Sequence, residues 1–196
     1  SLYVNENATG GVVGNLTTTD EDDGDEHEYT LSGADAVYFE VVNNQLKLKD
    51  DINPVYANQS SYNVTVTSTD SGGEAITESY TVEVNATPTD INLSSNSVNE
   101  SSYGLSVGTI IATDPNSDDE LTYSITGGAD QDYFEIDSSG VLKLKDNKFA
   151  DFEVDDTLTV KITVTDQGGL SFEKTLDISV NDLAYATPDI SDIKPI

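Results

Sequence analysis

Acidic side chains gathered in short loops are the chemistry this sequence offers, and they come in three patterns that each occur twice. The first is the loop Asp20-Glu21-Asp22-Asp23-Gly24-Asp25, answered by Asp114-Pro115-Asn116-Ser117-Asp118-Asp119. The second is an Asp before a Gly-Gly turn, Asp70 and Asp166, and the third a Glu at a strand start, Glu6 and Glu100. Residues two apart on an extended chain face the same way, so Asp20 with Asp22, or Asp114 with Asn116, present oxygens together. Crowded carboxylates repel one another, and a hard cation turns that cost into binding. Calcium takes roughly six to eight oxygens from carboxylates, amide and backbone carbonyls and waters, which matches this inventory; magnesium, with tighter geometry and fewer protein ligands, matches it less well. An EF-hand is excluded by spacing. Counting from Asp20, the sixth position is Asp25 where Gly is required and the twelfth is Leu31 where Glu is required; from Asp114 they are Asp119 and Ile125. The ligands must therefore converge from separate loops.

The elements that position these loops are set by repetition. Val4-Asn5-Glu6 recurs as Val98-Asn99-Glu100 and Val13-Gly14 as Val107-Gly108, both at an offset of 94. Leu46-Lys47-Leu48-Lys49-Asp50 recurs as Leu142-Lys143-Leu144-Lys145-Asp146, and Asp70-Ser71-Gly72-Gly73 as Asp166-Gln167-Gly168-Gly169, both at 96. So small a drift confines insertions to loops and marks two homologous domains. Within each copy the apolar period is two: Tyr62, Val64 and Val66 alternate with Asn63, Thr65 and Thr67, and Leu158, Val160, Ile162 and Val164 alternate with Thr159, Lys161, Thr163 and Thr165. Short Thr- and Val-rich strands punctuated by Gly, Asn and Asp predict an all-β chain of two tandem Greek-key β-sandwiches with about seven strands each. The expected domains are 1–87 and 88–196, the second carrying a C-terminal linker and tail. The junction is Val82 to Ile91, broken at Pro88. The segment Asn181 to Pro188 resembles that junction and reads as leading toward a further module, while Ser191 to Ile196 carries too little pattern to place.

Composition narrows the function classes. There are 37 acids against 8 bases, every base a Lys, for a net charge of -29. That excludes nucleic acid as a partner and disfavours an anionic membrane surface. Self-repulsion of this size also opposes compaction unless cations offset it; the plain alternative is a solubilising acidic surface. There is no Cys, hence no disulfide or thiolate site. No apolar run approaches the roughly 20 residues of a spanning helix, so no membrane insertion is expected. Ser1 to Glu6 lacks the features of a signal peptide, and the sequence reads as a segment of something longer.

Taken together these motifs resemble cadherin repeats. The order is Val-x-Glu, Asp-x-Asp or Asp-Pro-Asn, Gly-Ala-Asp with Tyr-Phe, Leu-x-Leu, Thr-Asp-x-Gly-Gly, and a closing Val-x-Val-Asn with Pro. The bacterial, dystroglycan-type modules of large surface adhesins are the nearest in pattern, and the resemblance spans both copies. It implies a cadherin/immunoglobulin-like sandwich and calcium ions between successive modules of one chain. It also implies ligand sets: Asp114, Asn116 and Asp166, with Asp119 in addition, meeting Glu6, Glu83 and Asn85 at the central junction. Asp20, Asp22, Asp25 and Asp70 would face a preceding module, and Glu100, Asp151, Glu153, Asn181 and Asp182 a following one. The sequence departs from the pattern in the first copy, where Val55-Tyr56-Ala57 stands at the place of Asp151-Phe152-Glu153, and at Ala86 against Asp182. The central set is therefore expected to be the poorer one and the far end the richer.

Other residues have plainer readings. His27, the only His, aligns with Leu121 and is expected at the edge of the core. Two identical carboxylate sets in tandem do not suit an active site, so no enzyme is expected, glycoside hydrolysis included. Phe39 and Phe134 are expected in the core, with Tyr38 and Tyr133 pointing outward. Gly10 to Gly14 is a turn and strand start, not a phosphate loop, because no Lys follows where a Walker motif needs one. The expected role is a calcium-stiffened extender or adhesion segment of an extracellular bacterial adhesin. The alternative is direct recognition of polysaccharide or of a like module.

Overall fold

Alternation of β-branched and polar residues makes strands throughout, because a branched side chain packs well on a pleated surface buried on one face. The computed structural model describes residues 2–21 and 26–183. In chain order the first seven strands are β1 (Leu2–Asn5), β2 (Val12–Asn15), β3 (Glu28–Ser32), β4 (Phe39–Val42), β5 (Gln45–Leu48), β6 (Ser61–Thr69) and β7 (Ala75–Asn85). Eight more follow: β8 (Asp90–Leu93), β9 (Ser97–Asn99), β10 (Ser106–Thr113), β11 (Thr122–Gly127), β12 (Phe134–Ile136), β13 (Val141–Leu144), β14 (Thr157–Thr165) and β15 (Ser171–Asn181).

The chain forms two compact units. One comprises Ser1–Pro88 together with the loops Asp114–Glu120 and Thr165–Ser171; the other comprises Thr89–Thr113, Leu121–Val164 and Phe172–Ile196. In the first, sheets ordered β1-β7-β6-β3 and β2-β5-β4 share one core. Val4 from β1, Phe39 from β4, Leu46 and Leu48 from β5, and Tyr62, Val64, Val66, Val82 and Val84 from β6 and β7 form a single buried cluster. Side chains from both sheets meeting in one layer define a sandwich. The chain passes between sheets from β1 to β4 before pairing hairpins, which is Greek-key connectivity. In the second unit the sheets are β11-β14-β15-β9 and β12-β13-β10-β8, around a core that includes Phe134, Leu142, Leu144, Val160 and Ile162. Emptying any one of these positions, as in Leu48→Ala, costs about 2–5 kcal/mol.

Strand for strand β1 to β7 correspond to β9 to β15, so the copies share one connectivity. The match extends to detail. Gly14 pairs with Leu46 and Asn15 with Gln45 after a break in register, as Gly108 pairs with Leu142 and Thr109 with Val141. β1 runs parallel to β7 and β9 parallel to β15, which sets Asn5 beside Asn85 and Asn99 beside Asn181.

One reading of the sequence needs correction. Tyr38 and Tyr133 do not point outward. Both are half-buried and pack against the core, Tyr38 meeting Tyr62 edge-to-face with ring centroids 5.5 Å apart. Each tyrosine ends a single turn of 3-10 helix, and Phe39 and Phe134 begin the strands, so strand alternation does not run across the pair. His27 is half-buried, and its Nε2 lies 3.1 Å from Asp20 Oδ2. Asp22 and Asp25, both expected metal ligands, lie outside the described residues.

Candidate metal centre

Two loops of the first unit supply its carboxylates. In the loop Asp166 to Leu170, Gly169 takes φ +85, open mainly to glycine, and lets the chain double back. Asp166 N then donates to Leu170 O at 3.0 Å, and Leu170 N donates to Asp166 Oδ1 at 2.8 Å. Asp166 is 5% exposed. Its Oδ2 accepts from Asn85 Nδ2 at 3.0 Å. In the loop after β10, Asn116 N donates to Asp114 Oδ1 at 2.8 Å, an Asx turn that fixes the carboxylate. Asn116 is tied to the end of β7 from both ends of its amide: it accepts from Ala86 N at 2.7 Å and donates to Val84 O at 3.1 Å. Asp119 Oδ1 accepts from Gln167 Nε2 at 2.9 Å.

One oxygen from each of Asp114, Asp119 and Asp166 lies within 4.8 Å of the other two. Two of these groups are electrostatically incomplete. Among the described residues the buried side-chain oxygens without a hydrogen-bond partner are Asp114 Oδ2 and Asp119 Oδ2. Burial raises the Asp114 carboxyl above its ordinary range against the pull of the Asn116 N–H, and the charges of Asp119, Asp166 and Glu6 add to the rise. Burial likewise raises Asp119, opposed by Gln167 and reinforced by Asp166 and Asp118. A desolvated carboxylate oxygen with no donor is costly in any folded protein.

The remaining expected ligands of this group fall less centrally. Glu6 follows β1 and its Oε1 accepts from Thr87 N at 2.7 Å. Glu83 is exposed on β7, where it faces a cleft of about 510 Å³ with Tyr3, Tyr56, Asp118 and Glu120. Asn85 is buried but presents a donor, to Asp166 and to Asn5 Oδ1 at 3.1 Å. Asn5 is a residue the sequence reading passed over. Its Nδ2 donates to Gly168 O at 2.9 Å, so it braces both Asn85 and the Asp166 loop. Its recurrence as Asn99, beside Asn181, was the available signal.

In the second unit Glu100, Glu153 and Asp182 bring one oxygen each within 4.8 Å of one another. Glu100 is 1% exposed and accepts from Leu183 N at 2.7 Å and Phe152 N at 3.2 Å. The Glu153 carboxyl is pulled down by its own backbone N–H, yet Glu100, desolvation and Asp151 together hold it above the ordinary carboxylate value. Asp151 accepts from Glu153 N at 3.2 Å, and Asn181 donates to Asn99 Oδ1 at 3.0 Å. Of the set Asp20, Asp22, Asp25 and Asp70, the described pair Asp20 and Asp70 line one shallow pocket with His27; Asp70 Oδ1 accepts from Glu74 N at 2.8 Å.

The donor set suits a hard cation. An ion bound at about 2.3–2.6 Å spans oxygens up to roughly 5 Å apart, which accommodates three carboxylates and leaves positions for amide or carbonyl oxygens and water. Thiolate and additional imidazole ligands are absent from the sequence, which argues against softer metals.

No protein-family model matches the chain, and no curated protein matches it. Among solved structures it is similar to human protocadherin-24 EC1-2, with 20% identity over 93% of this chain and 94% of that one and a TM-score of 0.46. It is also similar to the protocadherin gammaB4 extracellular domain, with 23% identity over 97% of this chain and 35% of that one and a TM-score of 0.47. A third is Drosophila N-cadherin EC1-3, with 22% identity, 93% and 64% coverage and a TM-score of 0.42.

Proposed function

We propose that the chain is a pair of calcium-binding, cadherin-like modules, 1–87 and 88–196, serving as a stiffened extender or adhesion segment of an extracellular bacterial adhesin. The observation that carries the calcium reading is the pair of buried, unpartnered oxygens on Asp114 and Asp119 beside Asp166. Such a group is stable at neutral pH when a cation supplies the missing partner. Asp114, Asp119 and Asp166 would hold the ion, with Glu6 and Asn116 at hand, and Glu100, Glu153 and Asp182 with Asp151 would hold another. The adhesin context rests on the sequence resemblance and on the acidic composition. Direct sugar recognition loses support, since Tyr38 and Tyr133 turn to the core.

Calcium titration by calorimetry, with thermal melting and small-angle scattering in calcium and in chelator, tests this reading. Saturable binding, a higher melting temperature and a less flexible chain in calcium are expected. A melting curve and scattering profile indifferent to chelator would sink it.

A further inference from the structure

Lys174 is the exception in an otherwise apolar stripe. Along β15 the residues Phe172, Leu176 and Ile178 face the core of the second unit, and Ser171, Glu173, Thr175 and Asp177 alternate with them toward solvent. Lys174 falls in the core-facing register and is half-buried there. Its ammonium crosses to the other sheet, where Nζ donates to Asp90 Oδ1 at 2.7 Å and to Asn92 Oδ1 at 3.2 Å, both on β8. The receiving side is built to hold it. Asp90 Oδ1 also accepts from Ile91 N at 2.8 Å, and Asp90 Oδ2 accepts from Asn92 Nδ2 at 2.9 Å, so the carboxylate is oriented by its own strand. A lysine in a core-facing position costs desolvation, and a charge-assisted hydrogen bond to a held carboxylate offsets it.

The two strands so joined are the ones by which the chain enters and leaves the unit. β8 begins two residues after Pro88, at the end of the connection from the first unit. β15 is the counterpart of β7, and β7 passes through Ala86 to Pro88 into the next unit. β8 has little else to hold it. It is four residues long, lies at the edge of its sheet and pairs on one side only, with β10. Ile91 is its one fully buried side chain. The contacts with β15 also have a direction. Asp90 meets Lys174 and, farther on, Asn99 lies beside Asn181 in the parallel pairing of β9 with β15. The segment 90–99 thus advances in the same sense as β15. A pull on the chain ahead of β8 and beyond β15 draws the two strands past each other along their length, and the Lys174 contact lies across that slide.

We infer that Lys174, with Asp90 and Asn92, is a mechanical latch that ties the entry strand of the second unit to its exit strand and resists extension of the chain. The use of such a latch rests on the extender role proposed above. Its operation is independent of calcium, because none of the three residues is a candidate metal ligand. Unfolding under tension is governed by the unfolding barrier, so a contact lying across the pulled direction counts for more under load than a similar contact elsewhere. Lys161 and Glu173 supply the similar contact: their ion pair, 2.9 Å long, joins β14 to β15, neighbours in one sheet.

Constant-force extension of the full chain, held by handles at both termini in chelator and in calcium, tests the latch. Leu48→Ala identifies the step in which the first unit unfolds. Lys174→Met is expected to shorten the lifetime of the second unit under load about five-fold in both conditions, the factor that a partly exposed ion pair can supply. Lys161→Met is expected to change that lifetime by less than about two-fold, while in denaturant without load the two variants unfold at similar rates. A lifetime under load that Lys174→Met leaves unchanged, or that both variants shorten equally, refutes the latch. So does an excess of Lys174→Met over Lys161→Met that is as large in denaturant without load. A Lys174→Met effect of the expected size in a chain whose lifetime ignores calcium upholds the latch and sinks the calcium reading alone.

Discussion

Asp119→Asn separates the cost of the unpartnered carboxylates from their use. The substitution keeps an oxygen for Gln167 Nε2 and replaces the orphaned Oδ2 with a neutral amide nitrogen. Two carboxylate charges within 4.8 Å repel by about 0.9 kcal/mol in bulk water and about 3.5 kcal/mol at an effective dielectric of roughly 20. Asp114 and Asp119 are only partly buried, so the relief on removing one charge is set near the lower half of that range, about 1–2 kcal/mol. In chelator the variant is therefore expected to melt higher than the parent, by about 4–8 °C per kcal/mol for a unit near 100 residues. In calcium the order reverses. Ion binding at a hundredfold excess over its dissociation constant stabilises the parent by about 2.7 kcal/mol. The variant has lost a ligand and a charge and forgoes most of that gain. Paired melting curves, parent and variant, with and without calcium, read the sign directly. A variant less stable than the parent in chelator would mean that Asp119 has a partner in the metal-free protein. A variant that keeps the full calcium response would remove Asp119 from the centre.

Three other substitutions test neighbouring steps. Asp166→Ala strands the Asn85 amide and Leu170 N, and is expected to cost about 2–3 kcal/mol by denaturant unfolding and to abolish the calcium response of this centre. Asp70→Ala frees Glu74 N and is expected to cost about 1 kcal/mol and leave that response intact; equal effects would overturn the distinction between the two loops. Gly168→Ala puts a Cβ into the Asn85 amide and 2.6 Å from Asn5 Oδ1, at an expected cost of about 1–3 kcal/mol, whereas Gly72→Ala meets only Asp70 Oδ1 at 3.3 Å and is expected to be nearly neutral in the same melting assay. Asp90 is held below the ordinary carboxylate range first by Lys174, then by Asn92 and the Ile91 N–H. Its folded value is depressed, so its contribution is present above the unfolded value and lost as pH falls through the folded one. Lys174→Met is expected to return the Asp90 titration, followed by carboxyl NMR, toward the ordinary value; an unchanged midpoint would refute the assignment.

The fold was legible because one signal governs it. Val, Ile and Thr alternating over nine residues, as in β6 and β14, admit little besides a strand buried on one face, and the 94–96 offset carries that reading from one copy to the other. Alternation misleads where the backbone is not a strand. Tyr38 and Tyr133 sit in 3-10 turns, and there neighbours can share a face. Loop spacing identified carboxylates, and the structure gathers Asp114 with Asp119 and Asp166, and Glu100 with Glu153 and Asp182. What spacing does not encode is hydrogen-bond bookkeeping. That Asn85 turns its amide N–H to Asp166, while Asp114 and Asp119 each keep an oxygen without a donor among the described residues, depends on the direction of individual side-chain atoms across three chain segments.

The departure at Val55-Tyr56-Ala57 gains a physical meaning from those same atoms. The second copy places Asp151 and Glu153 here, two like charges, and Asp151 contributes to holding the Glu153 carboxyl above its ordinary value. The first copy places Tyr56, whose hydroxyl donates to Pro115 O at 3.0 Å, next to the loop bearing Asp114 and Asn116. Tyr3 OH reaches Gln167 O at 3.4 Å, beside Asp166, and Asn116 is bonded to Ala86 and Val84. Neutral hydrogen bonds of this kind contribute about 0.5–1.5 kcal/mol each and need no ion. The loss of two carboxylates is thus more than an impoverished metal site. On the proposed calcium reading it trades two ligands for direct hydrogen bonds that need no ion, and leaves Asp114 Oδ2 and Asp119 Oδ2 as the buried oxygens that lack a donor among the described residues.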